Sequence, residues 1–308
     1  MSQKATVIQS TGSWYQVQLE NGQNISCRLK GKLRLNDNKF TNPVSVGDKV
    51  LLENKEGEYV IEHIEDRKNY IIRQSPKHDH ARHIVAANID QLIILASVML
   101  PRTSSGFIDR LLLGAEIYHI PAIIVFNKQD IYNKKALEKQ DFLAEIYQEL
   151  EYPVLFTSIY DTESIMAFKK LLPKKVTLIA GHSGVGKSSL INAVEPDLKL
   201  KTAEISGKFQ KGKHTTTYAT MYALGSETYI IDTPGIKEFG LLDLELHEVG
   251  RYFRDFVPHL EQCKFNNCLH LEEPGCGILD AVAEGIIHPE RYKNYINIVE
   301  SLKGKKKY

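Results

Sequence analysis

Val176-Thr-Leu-Ile-Ala180, Gly181-His182-Ser183-Gly184-Val185-Gly186-Lys187-Ser188 and Ser189-Leu-Ile-Asn-Ala-Val194 follow one another without interruption. The β-branched apolar run predicts a buried strand. The middle segment fits G-x-x-x-x-G-K-[ST], and the last opens a helix, which is the strand–loop–helix context that pattern requires. Glycines let the backbone curl so that successive N–H groups point at a phosphate, and the helix N-terminus adds a favourable field. Lys187 is then expected to reach the β- and γ-phosphate oxygens as a point charge, and the Ser188 hydroxyl to ligate Mg²⁺.

Outward from this loop, the decisive companion lies upstream. Pro121-Ala-Ile-Ile-Val-Phe126 reads as a second buried strand, with Asn127-Lys128-Gln129-Asp130 at its carboxyl end. A carboxylate there accepts both the N1–H and the 2-amino group of guanine, a donor pair adenine lacks. Asn127 is the natural partner for the other base edge, and the Lys128 stem can pack on the ring. This base-reading turn comes 54 residues before the phosphate loop. In most GTPases the phosphate loop comes first, so the order predicts a circularly permuted nucleotide domain.

Three further segments fit the same site. Thr157-Ser158-Ile159, after the strand Val154-Leu-Phe156, resembles the backbone-donor loop near guanine O6. Thr228-Tyr-Ile-Ile231 leads into Asp232-Thr-Pro-Gly235, which resembles the D-x-x-G of switch II. Asp232 would hold Mg²⁺ through water, and the Gly235 amide would sense the γ-phosphate. Between them lies Gly212-Lys-His-Thr-Thr-Thr217, where Thr215 or Thr216 is the candidate switch I ligand for Mg²⁺; spacing does not choose between them. Many GTPases place a water-orienting glutamine just after D-x-x-G, but here that position is Ile236. Unaided turnover should therefore be slow, with His214 the best internal group to hold the attacking water.

Three of the four cysteines cluster as Cys263-x₄-Cys268-x-His270-x₅-Cys276. Three thiolates and an imidazole make a closed tetrahedral set, expected to hold one structural Zn²⁺ with no position left for substrate. Disulfides are the rival reading, but nothing in the sequence resembles a signal peptide or a membrane span, which points to the cytoplasm. Cys27 is the leftover thiol, read as a small buried hydrophobe.

The permuted order, the Gly-Lys-His-Thr-Thr-Thr segment and the Cys-Cys-His-Cys set together resemble the RsgA family of ribosome small-subunit-dependent GTPases, over nearly the whole chain. The resemblance implies an N-terminal OB-fold β-barrel, a central α/β permuted P-loop GTPase domain and a C-terminal, mainly helical zinc-binding domain. Domain limits of 1–72, 73–240 and 241–308 follow. It implies a GTPase stimulated by the small (30S) ribosomal subunit, acting late in that subunit's maturation and binding its rRNA. Asn127, Lys128 and Asp130 would read guanine, Gly181 through Ser189 hold the phosphates of GTP or GDP, and Cys263, Cys268, His270 and Cys276 bind zinc. Expected partners are the 30S subunit and ribosome assembly factors, with no membrane, the chain itself being a monomer. A GTP-regulated switch for another RNA, in which occupancy is the signal, fits the same residues.

The remaining sequence agrees with this layout. The chain carries 39 basic and 38 acidic side chains. RNA contact must therefore come from local patches. Arg28, Lys30, Lys32 and Arg34 fall on alternate positions, with Leu29, Leu33 and Leu35 between or beside them and Gly31 able to bend the run, and Lys303-Gly-Lys-Lys-Lys307 precedes the final Tyr308. Lys4–Ser10, Trp14–Leu19, Asn24–Leu29, Lys49–Glu53 and Tyr59–Ile64 predict a small five-stranded barrel, OB-like or SH3-like. Lys77–His83 reads as a polar linker. Lys135–Glu151 predicts a helix with Phe142, Leu143, Ile146 and Leu150 as its apolar stripe. His247–Leu260 and Pro289–Leu302 read as helices flanking the cysteine cluster, with Arg251, Arg254 and Lys264 available for RNA or for surface ion pairs.

Overall fold

The N-terminal strands and the central strands join in one continuous sheet. The structure is a computed structural model that describes residues 2–12, 14–31, 40, 42–55, 57–74, 82–202, 219–225, 227–233, 241 and 244–305. His214, Thr215, Thr216, Gly235, Ile236, Lys32, Arg34, Lys306, Lys307 and residues 77–81 of the expected linker lie outside the described residues.

The N-terminal barrel consists of β1 (Gln3–Ser10), β2 (Tyr15–Leu19), β3 (Asn24–Leu29), β4 (Lys49–Lys55) and β5 (Glu58–Ile64). Its strands run in the order β1-β2-β3-β5-β4, and β4 returns to pair with β1, closing the barrel. The crossing from β3 to a parallel β5 is the Greek-key path of an OB-fold. Strand alternation sends Val7, Val17, Cys27, Leu29, Val50, Leu52 and Ile61 inward. Cys27 is a core residue, and burial pushes its thiol up to about 12, so it stays protonated and inert. Arg28 points outward and lies over the half-exposed Trp14 ring at 4.1 Å, while Lys30 pairs with Glu62 at 2.8 Å.

A hairpin of β6 (Tyr70–Gln74) and β7 (Arg82–Ala87) follows. His83 belongs to β7, opposite Arg73, and not to a solvated linker. Burial, with Arg73 beside it, pulls its imidazole down to about 4, so it is neutral near pH 7.

The central sheet runs β10 (Val154–Thr157), β9 (Ala122–Asn127), β8 (Gln91–Ala96), β11 (Val176–Ala180), β13 (Tyr229–Asp232) and β12 (Thr220–Ala223). All neighbours are parallel except β13 with β12. β8 and β9 are buried along their whole length, as strands covered on both faces must be. Alternate residues serve opposite faces: Leu92 and Ile94 join one core, Ile93 and Leu95 the other. Each such side chain contributes about 2 kcal/mol by its burial.

Helices α1 (Ser105–Ile117), α2 (Lys134–Glu149), α3 (Thr162–Lys169) and α4 (Lys187–Val194) cover the sheet. Ser104 and Asn133 cap α1 and α2 by accepting from Phe107 N–H at 3.2 Å and Ala136 N–H at 2.9 Å. In α2 the buried stripe is Ala136, Gln140, Leu143, Ala144, Ile146 and Tyr147. Phe142 departs from the expected stripe: it sits on the flank, 39% exposed, edge-on to His288 and beneath Lys139.

The C-terminal region contains α5 (Gly277–Ala283) and α6 (Pro289–Lys305). Where one helix was expected over 247–260, there are two 3₁₀ segments, Leu246–Tyr252 and Val257–Gln262, separated by an extended Phe253. Phe253 and Phe256 both turn inward to pack on Tyr295, and Pro258 starts the second segment afresh. Arg254 makes the ion pair that was one of its two expected roles: it pairs with Glu116 at 2.7 Å and lies 4.0 Å from the centre of the Tyr152 ring.

Two seams join the parts. Gln9 of β1 pairs with Thr220 of β12, and Tyr229 donates its hydroxyl to Gln18 at 3.0 Å, so barrel and central sheet form one eleven-stranded sheet. On the other side, α6 packs along α1, whose Leu113 enters the C-terminal core.

Candidate nucleotide site and metal centre

Strand order reverses between β8 and β11, and there the carboxyl ends of the parallel strands leave a crevice, the usual ligand position of an open α/β sheet. The phosphate loop leaves β11 at Gly181 and enters α4 at Lys187. Gly186, the residue before the helix, has φ +105°, and a Cβ there would lie 2.4 Å from Asn127 Nδ2. Only glycine satisfies both conditions. No side chain caps α4, so its first N–H groups face the loop.

Lys187 folds over the loop, donating to the Gly181 and His182 carbonyls at 2.8 and 3.1 Å. Burial lowers its pKa, and the Asp232 carboxylate opposes that fall. Val185 is fully buried and fixes the loop to the core beneath. Ser183 and Gly184 are exposed, with Ser188 and Ser189 half-buried at the start of α4.

The base-reading turn is stitched to this loop. Asn127 is 1% exposed; its Nδ2 donates to the Val185 carbonyl at 3.0 Å and its Oδ1 accepts from Thr157 Oγ1 at 2.9 Å. The expectation of a base-edge contact thus gains a second part, since Asn127 sets the spacing between three loops. Lys128, in the left-handed region at φ 69°, donates to the Leu100 and Gly184 carbonyls, both at 2.7 Å. Gln129 reaches Gln140 at 3.3 Å. Asp130 is exposed at the mouth, and its Oδ1 accepts from Ser158 Oγ at 2.7 Å. The Ser158 N–H is taken by Ser164 Oγ at 3.1 Å. Tyr132, missed by sequence reading, donates to the Asn127 carbonyl at 2.7 Å and accepts from Val98 N–H at 2.9 Å. No local pattern marks a tyrosine for that role.

Asp232 stands at the end of β13, across from the loop. Its Oδ1 and the Thr233 Oγ1 are buried without a hydrogen-bond partner among the described residues. Burial raises the Asp232 carboxyl, and Lys187 pulls it back. An unsatisfied buried carboxylate oxygen beside a phosphate loop fits a hydrated Mg²⁺. Thr233 was not singled out in the sequence, and its position next to Asp232 was the available signal.

The cysteine cluster closes as expected. The ligand atoms of Cys263, Cys268, His270 and Cys276 all lie within 4.8 Å of one another. Cys263 Sγ is 3.6 Å from His270 Nδ1 and 4.0 Å from Cys276 Sγ, and His270 Nδ1 is 3.4 Å from Cys276 Sγ. Tetrahedral zinc with Zn–S bonds of about 2.3 Å places its ligand atoms about 3.8 Å apart, so the residues fit the ion. Burial pushes the Cys268 thiol up to about 12, and a bound metal would displace that proton. Glu273, unmarked in the sequence, accepts from the Leu269, Leu271 and Glu272 N–H groups at 2.9, 2.8 and 3.2 Å and shapes the knuckle. Gly250 leaves room for the ligand ring, since a Cβ there would meet His270 Nε2 at 2.9 Å. Stripping the metal with a chelator should unfold the segment around Phe253, Phe256 and Tyr295. Near-ultraviolet circular dichroism with and without chelator tests this, and unchanged tyrosine signals would refute it.

Among the described residues no helix is long and apolar enough to cross a membrane. The RsgA N-terminal domain family matches residues 4–60, and the RsgA GTPase family matches residues 64–242. A relative from Bacteroides thetaiotaomicron, called small ribosomal subunit biogenesis GTPase RsgA 2, is 48% identical over 298 residues, covering 96% of each chain. The small ribosomal subunit biogenesis GTPase RsgA of Christiangramia forsetii is 46% identical over 301 residues, again covering 96% of each. Among solved structures, YjeQ from Thermotoga maritima superposes with a TM-score of 0.80 at 35% identity over 99% of each chain. YloQ, described as a circularly permuted GTPase, gives 0.75 at 29% identity over 100% of this chain and 97% of its own. A base-reading turn ahead of its phosphate loop, a closed barrel before both, a Cys₃His knuckle behind them and two matched segments spanning most of the sequence lead to one conclusion: the chain belongs to the RsgA GTPase family.

Proposed function

We propose that this protein is a cytoplasmic, monomeric GTPase that acts in maturation of the small (30S) ribosomal subunit, hydrolysing GTP when that subunit stimulates it. The stitched contact of Asn127 and Lys128 with the Gly181–Ser188 loop supports the reading, because the Asn-Lys-Gln-Asp turn and that loop then meet at one crevice. The names of the relatives supply the ribosomal context. In this reading Asp130 takes the guanine donors, with Thr157, Ser158 and Gln129 shaping the pocket. Gly181 through Ser189 wrap the phosphates of GTP or GDP, and Lys187 neutralises them. Ser188, Asp232 and one of Thr215 and Thr216 hold Mg²⁺, which supplies charge stabilisation when bound. Gly235 senses the γ-phosphate, His214 orients the attacking water, and Cys263, Cys268, His270 and Cys276 carry a structural Zn²⁺.

Residues 1–72 form the RNA-contacting barrel, 73–240 the GTPase domain and 241–308 the zinc domain. The barrel's outward Arg28 and Trp14 suit rRNA, and assembly factors on the subunit are further partners. GTP turnover is expected to be slow alone and to rise at least about 10²-fold with purified small subunits, but not with large ones. His214→Ala should abolish the rise and leave binding nearly unchanged. Tight guanine-nucleotide binding without stimulation would overturn the ribosomal reading in favour of a switch for another RNA.

A further inference from the structure

Helix α1 touches the phosphate loop with one side of its first turn and the C-terminal domain with the other. The Phe107 ring stacks on the His182 imidazole, centroids 3.9 Å apart and planes 28° from parallel. The His182 carbonyl receives Lys187 Nζ and, at 3.2 Å, the Val185 N–H. A ring that fixes His182 therefore fixes an anchor of the phosphate lysine and the curl of the loop.

The residue before Phe107 faces the other way. A Cβ on Gly106 would lie 3.1 Å from Asn294 Oδ1 of α6. Asp109, fully buried in the next half-turn, accepts from Asn294 Nδ2 at 2.6 Å, from Tyr147 OH at 2.9 Å and from Arg291. Ser105 donates to Glu290 Oε1 at 2.6 Å. Three α6–α1 hydrogen bonds, to Asn294, Arg291 and Glu290, thus fix the height and rotation of the turn that carries Phe107. Further along α6, the Tyr292 and Tyr295 hydroxyls donate to the His270 and Leu269 carbonyls at 2.9 and 2.8 Å, so the same helix is seated on the cysteine knuckle.

We infer that Phe107 is a positioning residue for nucleotide binding, holding the phosphate loop through His182, and that α6 of the C-terminal domain sets its position through Asn294 and Asp109. The inference rests on the GTP reading of the phosphate loop. It gives the C-terminal domain a hold on nucleotide affinity that does not pass through the switch segments. By linkage, whatever displaces α6 changes affinity for nucleotide by the same factor as nucleotide resists that displacement.

The test is a double-mutant cycle on the full chain, read by titration with fluorescent GDP and a non-hydrolysable fluorescent GTP analogue. Phe107→Leu removes the stack and keeps apolar volume. Gly106→Ala gains helix propensity, so the fold survives, while its Cβ, 3.1 Å from Asn294 Oδ1, makes Asn294 shift by a few tenths of an ångström against Asp109. Each single change should weaken binding about 3- to 10-fold, the range of an aromatic stack. Together they should weaken it no more than Phe107→Leu alone, because both act through one ring. Their effects on Tm should instead add, which a merely structural role would not combine with non-additive affinities. Wild-type affinity in either single variant, or a product of the two losses in the double, overturns the inference. A wild-type protein that binds neither nucleotide would instead overturn the GTP reading itself.

Discussion

Asp130→Asn should lower GTP affinity on the order of 10³-fold and raise affinity for xanthosine triphosphate. The carboxylate stands at the mouth of the crevice, one oxygen held by Ser158 at 2.7 Å. Guanine offers two donors on that edge, N1–H and the 2-amino group, and a carboxylate accepts both. An amide at the same place presents one acceptor and one donor, so its NH₂ would oppose the 2-amino group. Xanthine carries a carbonyl at that position and would accept from the amide. The loss is large because a donor facing a donor in a closed site forfeits both hydrogen bonds and the charge that strengthened them. Competition titrations with GTP, xanthosine triphosphate and ATP decide the matter. An equal loss for all three at an unchanged Tm would show that Asp130 does not read the base.

Arg291→Ala should destabilise the protein by about 3–5 kcal/mol, because it strands two buried carboxylates at once. Arg291 is 3% exposed and binds Asp109 and Asp255, which are 0% and 6% exposed. It also covers the Phe253 ring at 4.6 Å. Burial raises the Asp109 carboxyl, while Arg291 and the Asn294 and Tyr147 donors hold it down. Removing the guanidinium leaves those carboxyls to be protonated or hydrated inside the domain junction. Pairing the change with Asp109→Asn should restore part of the loss, since the stranded charge is then gone. A fall in Tm of roughly 10 °C is expected for the single variant. A fall under 2 °C, by calorimetry, would show that the junction tolerates unpaired charge.

Motifs built from adjacent residues were legible in the sequence. The phosphate loop, the base-reading turn and the cysteine quartet each lie within a short window, and β3 and β11 have the limits their apolar runs predicted. Junctions were not legible. Asp109 and Arg291 stand 182 residues apart, and each alone looks like one more charge on an amphipathic helix. Arg254 has the sequence surroundings of an RNA contact, yet Glu116, 138 residues away, claims it. Phe142 met the helical spacing, but the buried stripe is turned toward Gln140, Ala144 and Tyr147, the last bonded to buried Asp109. The break at Phe253 goes with its packing on Tyr295, 42 residues further along the chain. The switch I residues and Gly235 of switch II lie outside the described residues, whereas Asp232 stands at the end of β13.

The pairing of β1 with β12 also sets a clock. A ribosome delivers the barrel first, and its five strands pair among themselves within residues 3–64. Its seat against the central sheet includes Tyr229, which follows its partner Gln18 by 211 residues. From Ile64, where the last barrel strand ends, to Tyr229 is 229 − 64 = 165 residues, which at about 5–20 residues per second takes roughly eight to thirty seconds. During it the newborn barrel is complete but not yet docked, folded before the sheet edge it will join has been made.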